Sequence, residues 1–255
     1  MKSAFPVSLA LAHALALALA SAALPALAEE PAAAAASPLS FNLSLTSEYR
    51  YRGLSQSRMD PALQGGVDYA SESGFYVGAW ASTIKWIKDA PYNGGANAEI
   101  DLYGGYKTEV AKGLTMDVGV LGYIYPSNNL NPSANTTEVY GALSFGPVIA
   151  KYSHSVTNLF GTADSKGSGY FDVSATFDLG EGFTLTPHIG YQKVKNFSAG
   201  SYTDYALTVN KDYAGFTFGA AVIGTDSDAY MGGANADSLK NLGKTHLVVS
   251  VKKTF

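Results

Sequence analysis

The chain has no cysteine, only two tryptophans, and charged residues at just 15% of its length. Without cysteine there are no disulfides and no thiolate metal sites, and no lipid-anchoring thiol follows the apolar N-terminus. After residue 28 no stretch approaches the roughly 18 uninterrupted apolar residues of a membrane helix. A basic stripe is missing too. Once Lys2 is removed with the N-terminal segment, 16 basic residues face 21 acidic ones, which argues against a nucleic-acid partner.

What is present begins with an export signal. Lys2 supplies a positive start, Phe5 to Ala23 is almost wholly Ala, Leu and Val, and Ala26-Leu27-Ala28 has the small-x-small form of a cleavage site. The run is diluted by alanine and closes on Pro25, which disfavours a retained anchor. Residues 1–28 therefore read as a signal peptide and 29–38 as a flexible periplasmic leader of Ala, Pro and Glu. The remaining 39–255 form one large domain.

That domain alternates. Leu247, Val249, Val251, Lys253 and Phe255 lie on one face of the final segment, with His246, Val248, Ser250, Lys252 and Thr254 on the other. This is the two-residue period of a strand. An aromatic last residue, Phe255, is similar to the insertion signal of bacterial outer-membrane barrels, a mark read by the barrel-assembly machinery. Lys253 is out of place on the apolar face unless it snorkels to lipid headgroups at the rim.

Twelve such segments are predicted: 41–52, 63–69, 75–83, 98–107, 114–125, 137–145, 148–157, 169–177, 183–192, 202–209, 216–224 and 245–255. Most match the ~9–11 residues that cross a bilayer at a tilt. Connections after odd segments are long (53–61, 84–97, 126–136, 158–168, 193–201, 225–243), and those after even segments are short and contain glycine. That alternation is the pattern of an all-β transmembrane antiparallel barrel, with short periplasmic turns and longer extracellular loops, in the Gram-negative outer membrane. Losing the weak segment 202–209 with its hairpin would leave ten strands, and a strand hidden in 84–97 or 225–243 would make fourteen.

Particular residues carry a resemblance. Residues 41–57 read FNLSLTSEYRYRGLSQS, 61–69 PALQGGVDY, 74–82 GFYVGAWAS and 99–106 EIDLYGGY. Together they resemble the TorF-type porin family of exported bacterial proteins. The resemblance implies an outer-membrane barrel that acts as a pore. It brings no catalytic residue and no named solute.

The polar faces supply the candidate site. Glu48, Arg50 and Arg52 continue the inner face of the first segment. The same register points Asp68, Glu99, Asp101, Asp117, Glu138, Lys151 and Asp172 inward, with Asp204 and Lys252. Arg or Lys facing lipid at the midplane costs ~2–4 kcal/mol, so charge goes to the lumen. In one reading these residues line water and pass small hydrophilic solutes with a slight cation preference, since acids outnumber bases. In the other, Arg50 and Arg52 pair with facing carboxylates and plug the barrel, leaving the outer loops to bind a partner or ligand.

An outer-membrane lipid hydrolase is the rival class, with Tyr152-Ser153-His154-Ser155 as its candidate. Ser155 points to the opposite face from His154, so the base does not reach its nucleophile and no enzyme is expected. His188 and His246 lack metal spacing, and the acids of 225–237 lack the spacing of a strong calcium loop, so no cofactor is expected. Tyr49, Tyr51, Tyr69, Phe75, Tyr106, Phe145, Tyr152, Phe177, Phe183, Tyr191, Phe216 and Phe255 are placed on apolar faces as an interfacial girdle against outer-membrane lipids. Tyr76, Trp80, Tyr103, Tyr123 and Tyr140 face inward, either as a track for ring-bearing solutes or as packing that narrows the lumen.

Overall fold

The computed structural model describes residues 37–255. Residues 1–28, expected as a signal peptide, and all but the last two residues of the expected leader lie outside the described residues. Twelve strands form the wall: β1 (Leu39–Thr46), β2 (Ala62–Ala70), β3 (Phe75–Thr83), β4 (Ala98–Ala111), β5 (Leu114–Ile124) and β6 (Thr136–Phe145). They continue as β7 (Val148–Ser155), β8 (Gly169–Ala175, prolonged by Phe177–Gly180), β9 (Phe183–Lys193), β10 (Tyr202–Tyr213), β11 (Phe216–Thr225) and β12 (His246–Thr254). Each pairs antiparallel with its chain neighbours, and β12 returns to β1 with Asn42 opposite Thr254 and Thr46 opposite Ser250. The sheet is a closed barrel without an edge. No helix among the described residues is long and apolar enough to cross a membrane.

Period two turns this barrel inside out. Phe41, Leu43 and Leu45 on β1 are exposed on the outer face, as are Leu102 on β4, Leu207 on β10 and Leu247 on β12. The alternate positions, Thr46, Asp68, Glu99, Asp101 and Glu138 among them, are buried inside. A band of exposed apolar side chains around a closed sheet is stable only against lipid, because every backbone group in the hydrocarbon must be paired within the protein.

The long and short connections segregate to opposite ends, as the chain pattern predicts. Some strands run further than expected towards the short turns: β4 to Ala111, β8 in two pieces to Gly180, and β10 to Tyr213. At Ala214-Gly215 both turn residues have positive φ (52° and 77°), the backbone of a two-residue hairpin whose twist matches its strands. Segment 84–97 adds no strand. The last long loop holds only a two-residue pair, Met231–Gly232 with Lys240–Asn241, outside the wall.

Lys253 lies on the outer face. Its ammonium sits 4.8 Å from the Phe216 ring centroid and 5.4 Å from that of Phe255. Two aromatic faces at the short-turn rim thus receive the one charge that breaks the apolar pattern of β12.

One expectation is corrected. The first segment is not a strand to residue 52: β1 stops at Thr46, and the chain leaves the wall. Thr46 Oγ1 donates to the Glu48 carbonyl (2.9 Å) and Ser47 Oγ accepts from the Val249 amide (3.0 Å), so the exit point is pinned. Tyr49 and Tyr51, placed in the outer girdle by their spacing, are instead buried inside the barrel, 2% and 8% exposed.

Candidate functional site: the lumen and its loop plug

The segment leaving β1 folds into the long-loop half of the barrel as a minimal hairpin. Arg50 pairs with Ser55 and Tyr51 with Leu54, and Arg52-Gly53 forms the tip. Both tip residues have positive φ, 46° and 77°. Glycine adopts this freely, whereas an ordinary L-residue there costs ~1–2 kcal/mol. Arg52 is held by what its side chain reaches.

Its Nη1 donates to Glu138 Oε1 (3.0 Å) and its Nη2 to Glu138 Oε2 (2.7 Å), a two-pronged pair with a residue of β6. Nη1 also donates to Gln192 Oε1 on β9 (2.7 Å). The guanidinium lies 4.1 Å from the ring centroid of Tyr170 on β8. Arg52 and Glu138 are 6% and 2% exposed, so the pair is screened from water and breaking it leaves an uncompensated charge.

The neighbouring residues bind other walls. Tyr49 donates to Glu99 on β4 (3.0 Å) and meets Trp80 of β3 edge to face. The hydroxyls of Tyr51 and Tyr123 of β5 lie 2.6 Å apart. Arg50 pairs with Glu48 (2.9 Å), and the second Glu48 oxygen is 3.1 Å from Nδ1 of His246 on β12. The tip presses on β10 and β11: a Cβ on Gly53 would stand 2.7 Å from Asp204 Cβ and 2.5 Å from Thr225 Cγ2. One loop therefore contacts strands on every side of the lumen.

Towards the short-turn end the interior is polar and more open. Lys151, Asp117 and Asp172 line it with intermediate exposure. Asp68 accepts from Tyr103, and Asp117 accepts from Tyr76 (2.5 Å). Lys151 Nζ sits 4.0 Å from the ring centroid of Tyr140. His188 reaches Asp204 (3.5 Å) and Asp172 (3.9 Å).

Three of the inward tyrosines lie over glycines of adjacent strands. A Cβ on Gly78 would meet the Tyr103 ring, one on Gly105 the Tyr76 ring, and one on Gly119 the Tyr140 ring, each within 2.6 Å. Small residues on one strand thus let large rings of the next lie close to the wall.

The structure brings Glu48, Arg50, Arg52, Glu99, Asp101 and Glu138 together, the first three through an inserted hairpin rather than a wall face. It leaves Asp68, Asp117, Lys151 and Asp172 nearer the short-turn end. Gln192 and Tyr170, which complete the Arg52 cradle, are not among the residues expected from spacing. The turn residue Gly53 directly after Arg52 is the signal that the chain reverses there. Ser155 Oγ donates to the Thr157 carbonyl (2.5 Å) and Tyr152 lies 3.2 Å from His154 Nδ1, so no nucleophile–base pair forms there. Among the described residues no group of three or more His, Asp or Glu is arranged to hold a metal ion.

Above the hairpin the long loops surround a small open cleft lined by Trp86, Tyr92, Tyr125, Phe160, Tyr202 and Tyr230, with Tyr51 and Gln192 at its border with the plug. Nothing in the spacing of these residues announces the cleft, because they come from five different loops and strand ends.

These features define a twelve-stranded transmembrane β-barrel of the outer-membrane type, with its own first loop folded into the long-loop half of the lumen. The chain belongs to the bacterial family described as "Bacterial protein of unknown function (Gcw_chp)", which matches residues 30–255. That match does not carry the TorF-type name of the sequence resemblance. No curated protein sequence matches the chain. Among solved structures it is similar to the KdgM porin, with TM-score 0.53 and 7% identity over 85% of this chain and 98% of that one. It is similar also to the KdgM porin in complex with disordered oligogalacturonate (TM-score 0.52, 8% identity, 85% and 98% covered). The NanC porin gives TM-score 0.52 and 11% identity over 85% and 98%. At such identities the likeness is one of fold.

Proposed function

We propose that the protein is an outer-membrane channel for small hydrophilic solutes and ions, slightly favouring cations, whose passage is set by the first loop. The export signal at 1–28 directs it across the inner membrane, the short turns face the periplasm, and the long loops face outwards. The observation that carries the reading is the polar, charged interior of a closed barrel. A barrel that served only as an anchor has no need of Asp117, Lys151 and Asp172 inside its lumen, where apolar packing is cheaper. With Arg50–Glu48 and Arg52–Glu138 set aside as pairs, Asp68, Glu99, Asp101, Asp117, Asp172 and Asp204 stand against Lys107, Lys151 and Lys252. That excess of acids supports cation preference through the local field. It also speaks against an acidic saccharide such as the oligogalacturonate named with KdgM.

The closed outer half is part of the reading: conduction requires displacement of the Arg52 hairpin, so the native channel opens intermittently. Swelling of proteoliposomes in a small neutral solute tests it. Slow swelling with native protein, made several-fold faster by Arg52→Ala, is expected. No swelling with either protein, each shown to be folded by heat-modifiable gel migration, would leave the alternative of a non-conducting barrel with ligand-binding loops.

A further inference from the structure

The cleft above the plug has a lining of unusual uniformity. Seven aromatic side chains face it, Tyr51 of the plug among them, together with Leu54, Leu159, Met231 and Leu242, and its polar members are Ser55, Gln56, Thr162 and Gln192. No Asp, Glu, Lys, Arg or His lines it. The rings meet edge to face, Trp86 with Tyr92 at 5.6 Å, Trp86 with Tyr125 at 5.5 Å and Tyr202 with Tyr230 at 5.3 Å, so they brace one another without stacking the cleft shut. The buried indole nitrogen of Trp86 has no hydrogen-bond partner among the described residues.

The walls are tied together. The amides of Lys85 and Trp86 both donate to the Gln56 carbonyl (2.9 and 3.1 Å), joining the first two long loops. The Ser55 amide donates to Leu242 (2.9 Å) and the Gly233 amide to Ala90 (3.1 Å), which bring in the last loop. Tyr230 donates its hydroxyl to the Gly200 carbonyl (2.6 Å), adding the fifth. A cleft whose walls are already fixed to each other binds without a large ordering cost.

We infer that this cleft binds an uncharged saccharide from the cell exterior. A sugar ring offers C–H faces that lie on aromatic rings and hydroxyls that pair with neutral polar groups, and every polar side chain lining the cleft, the Trp86 indole N–H included, is uncharged. An acidic sugar would bring a carboxylate into a site with no cation, and a cationic ligand would find no anion; either leaves a charge unpaired. Gln192 lines the cleft and also accepts from Arg52, so an occupant sits directly on the closing hairpin. The site stands on the loops, and binding does not require the barrel to conduct.

Calorimetric titration of the full-length protein, in a detergent without a sugar headgroup, tests the inference. The probes are maltohexaose, cellohexaose and chitohexaose, with hexagalacturonate as the charged comparison. At least one neutral hexamer is expected to bind saturably and about tenfold or more tighter than hexagalacturonate. Tyr92→Ala, at a half-exposed rim position, is expected to weaken it about tenfold. Thr162→Val, which removes one hydroxyl and keeps the shape, gives a second reading with a loss of several-fold. Absence of binding by all three neutral hexamers would overturn the inference. So would hexagalacturonate binding as tightly, or affinity unchanged in both variants. Saccharide binding by protein that never conducts, even with Arg52 replaced, would keep the inference and overturn only the channel reading.

Discussion

Arg52 and Glu138 meet inside the barrel through two parallel hydrogen bonds of 3.0 and 2.7 Å, one residue at the tip of a loop and the other on the wall. Losing one partner of a buried pair costs ~3–5 kcal/mol, because the survivor stays charged and unpaired. Glu138→Gln is therefore expected to raise amide hydrogen exchange across residues 49–56 by about a hundredfold or more while the wall strands keep their protection. Unchanged exchange in the hairpin would show that the pair is not what holds it.

Gly53 is the second support of the closed loop. Its φ of +77° and the nearness of Thr225 Cγ2 and Asp204 Cβ leave no room for a side chain. Gly53→Ala is expected to expel the tip and to increase cleavage of the loop by external protease, without loss of heat-modifiable gel migration. Protection equal to the native protein's would contradict the packing described for the tip.

At the outer rim, Lys85 and Arg58 bind Asp60 at 2.7 and 3.3 Å, and Arg58 also binds Asp89 at 3.1 Å. The hydrogen bond from Lys85, reinforced by its charge and by Arg58 and opposed by burial, lowers the Asp60 pKa below its ordinary value. A carboxylate lowered in the folded state contributes stability that is complete above its unfolded pKa and is lost as pH falls through the folded one. The tie between the first two long loops should therefore hold at neutral pH and loosen only below the ordinary Asp range. Tryptophan fluorescence from neighbouring Trp86 should show an acid step that Asp60→Asn abolishes. An acid step of the same size in that variant would assign it elsewhere.

Phe255 takes part in closing the sheet. The Phe255 amide donates to the Phe41 carbonyl (2.8 Å) and the Phe41 amide to the Phe255 carbonyl (3.2 Å). Its ring also lies near the Lys253 ammonium on the outer face. Deleting Phe255 is expected to reduce membrane assembly several-fold, read by heat-modifiable migration in the membrane fraction, and to leave the conductance of assembled molecules unchanged. Full assembly of the truncated chain would remove the insertion role.

The wall was legible because inside and outside of a closed barrel demand opposite polarity at a period of two, and Phe41, Leu43 and Leu45 keep that period against Asn42, Ser44 and Thr46. The plug was not, for a physical reason. Tyr49 and Tyr51 keep the same alternation because Arg50 and Tyr51 also pair as a strand, with Leu54 and Ser55 in a hairpin inside the barrel, and periodicity does not tell a strand in the wall from one in the lumen. Gly53 was the local sign of reversal, and its meaning depends on Thr225 and Asp204, far along the chain. The cleft was less legible still, since Trp86, Tyr92 and Tyr230 come together only once their loops are tied.

The central claim is that a charged lumen conducts when the Arg52 hairpin moves aside, and planar-bilayer recording of native and Arg52→Ala protein in a salt gradient tests it most directly. Brief, infrequent openings are predicted for the native protein, with a several-fold higher open fraction for the variant and a reversal potential favouring cations in both. A folded variant that stays closed, or one that favours anions, would contradict it.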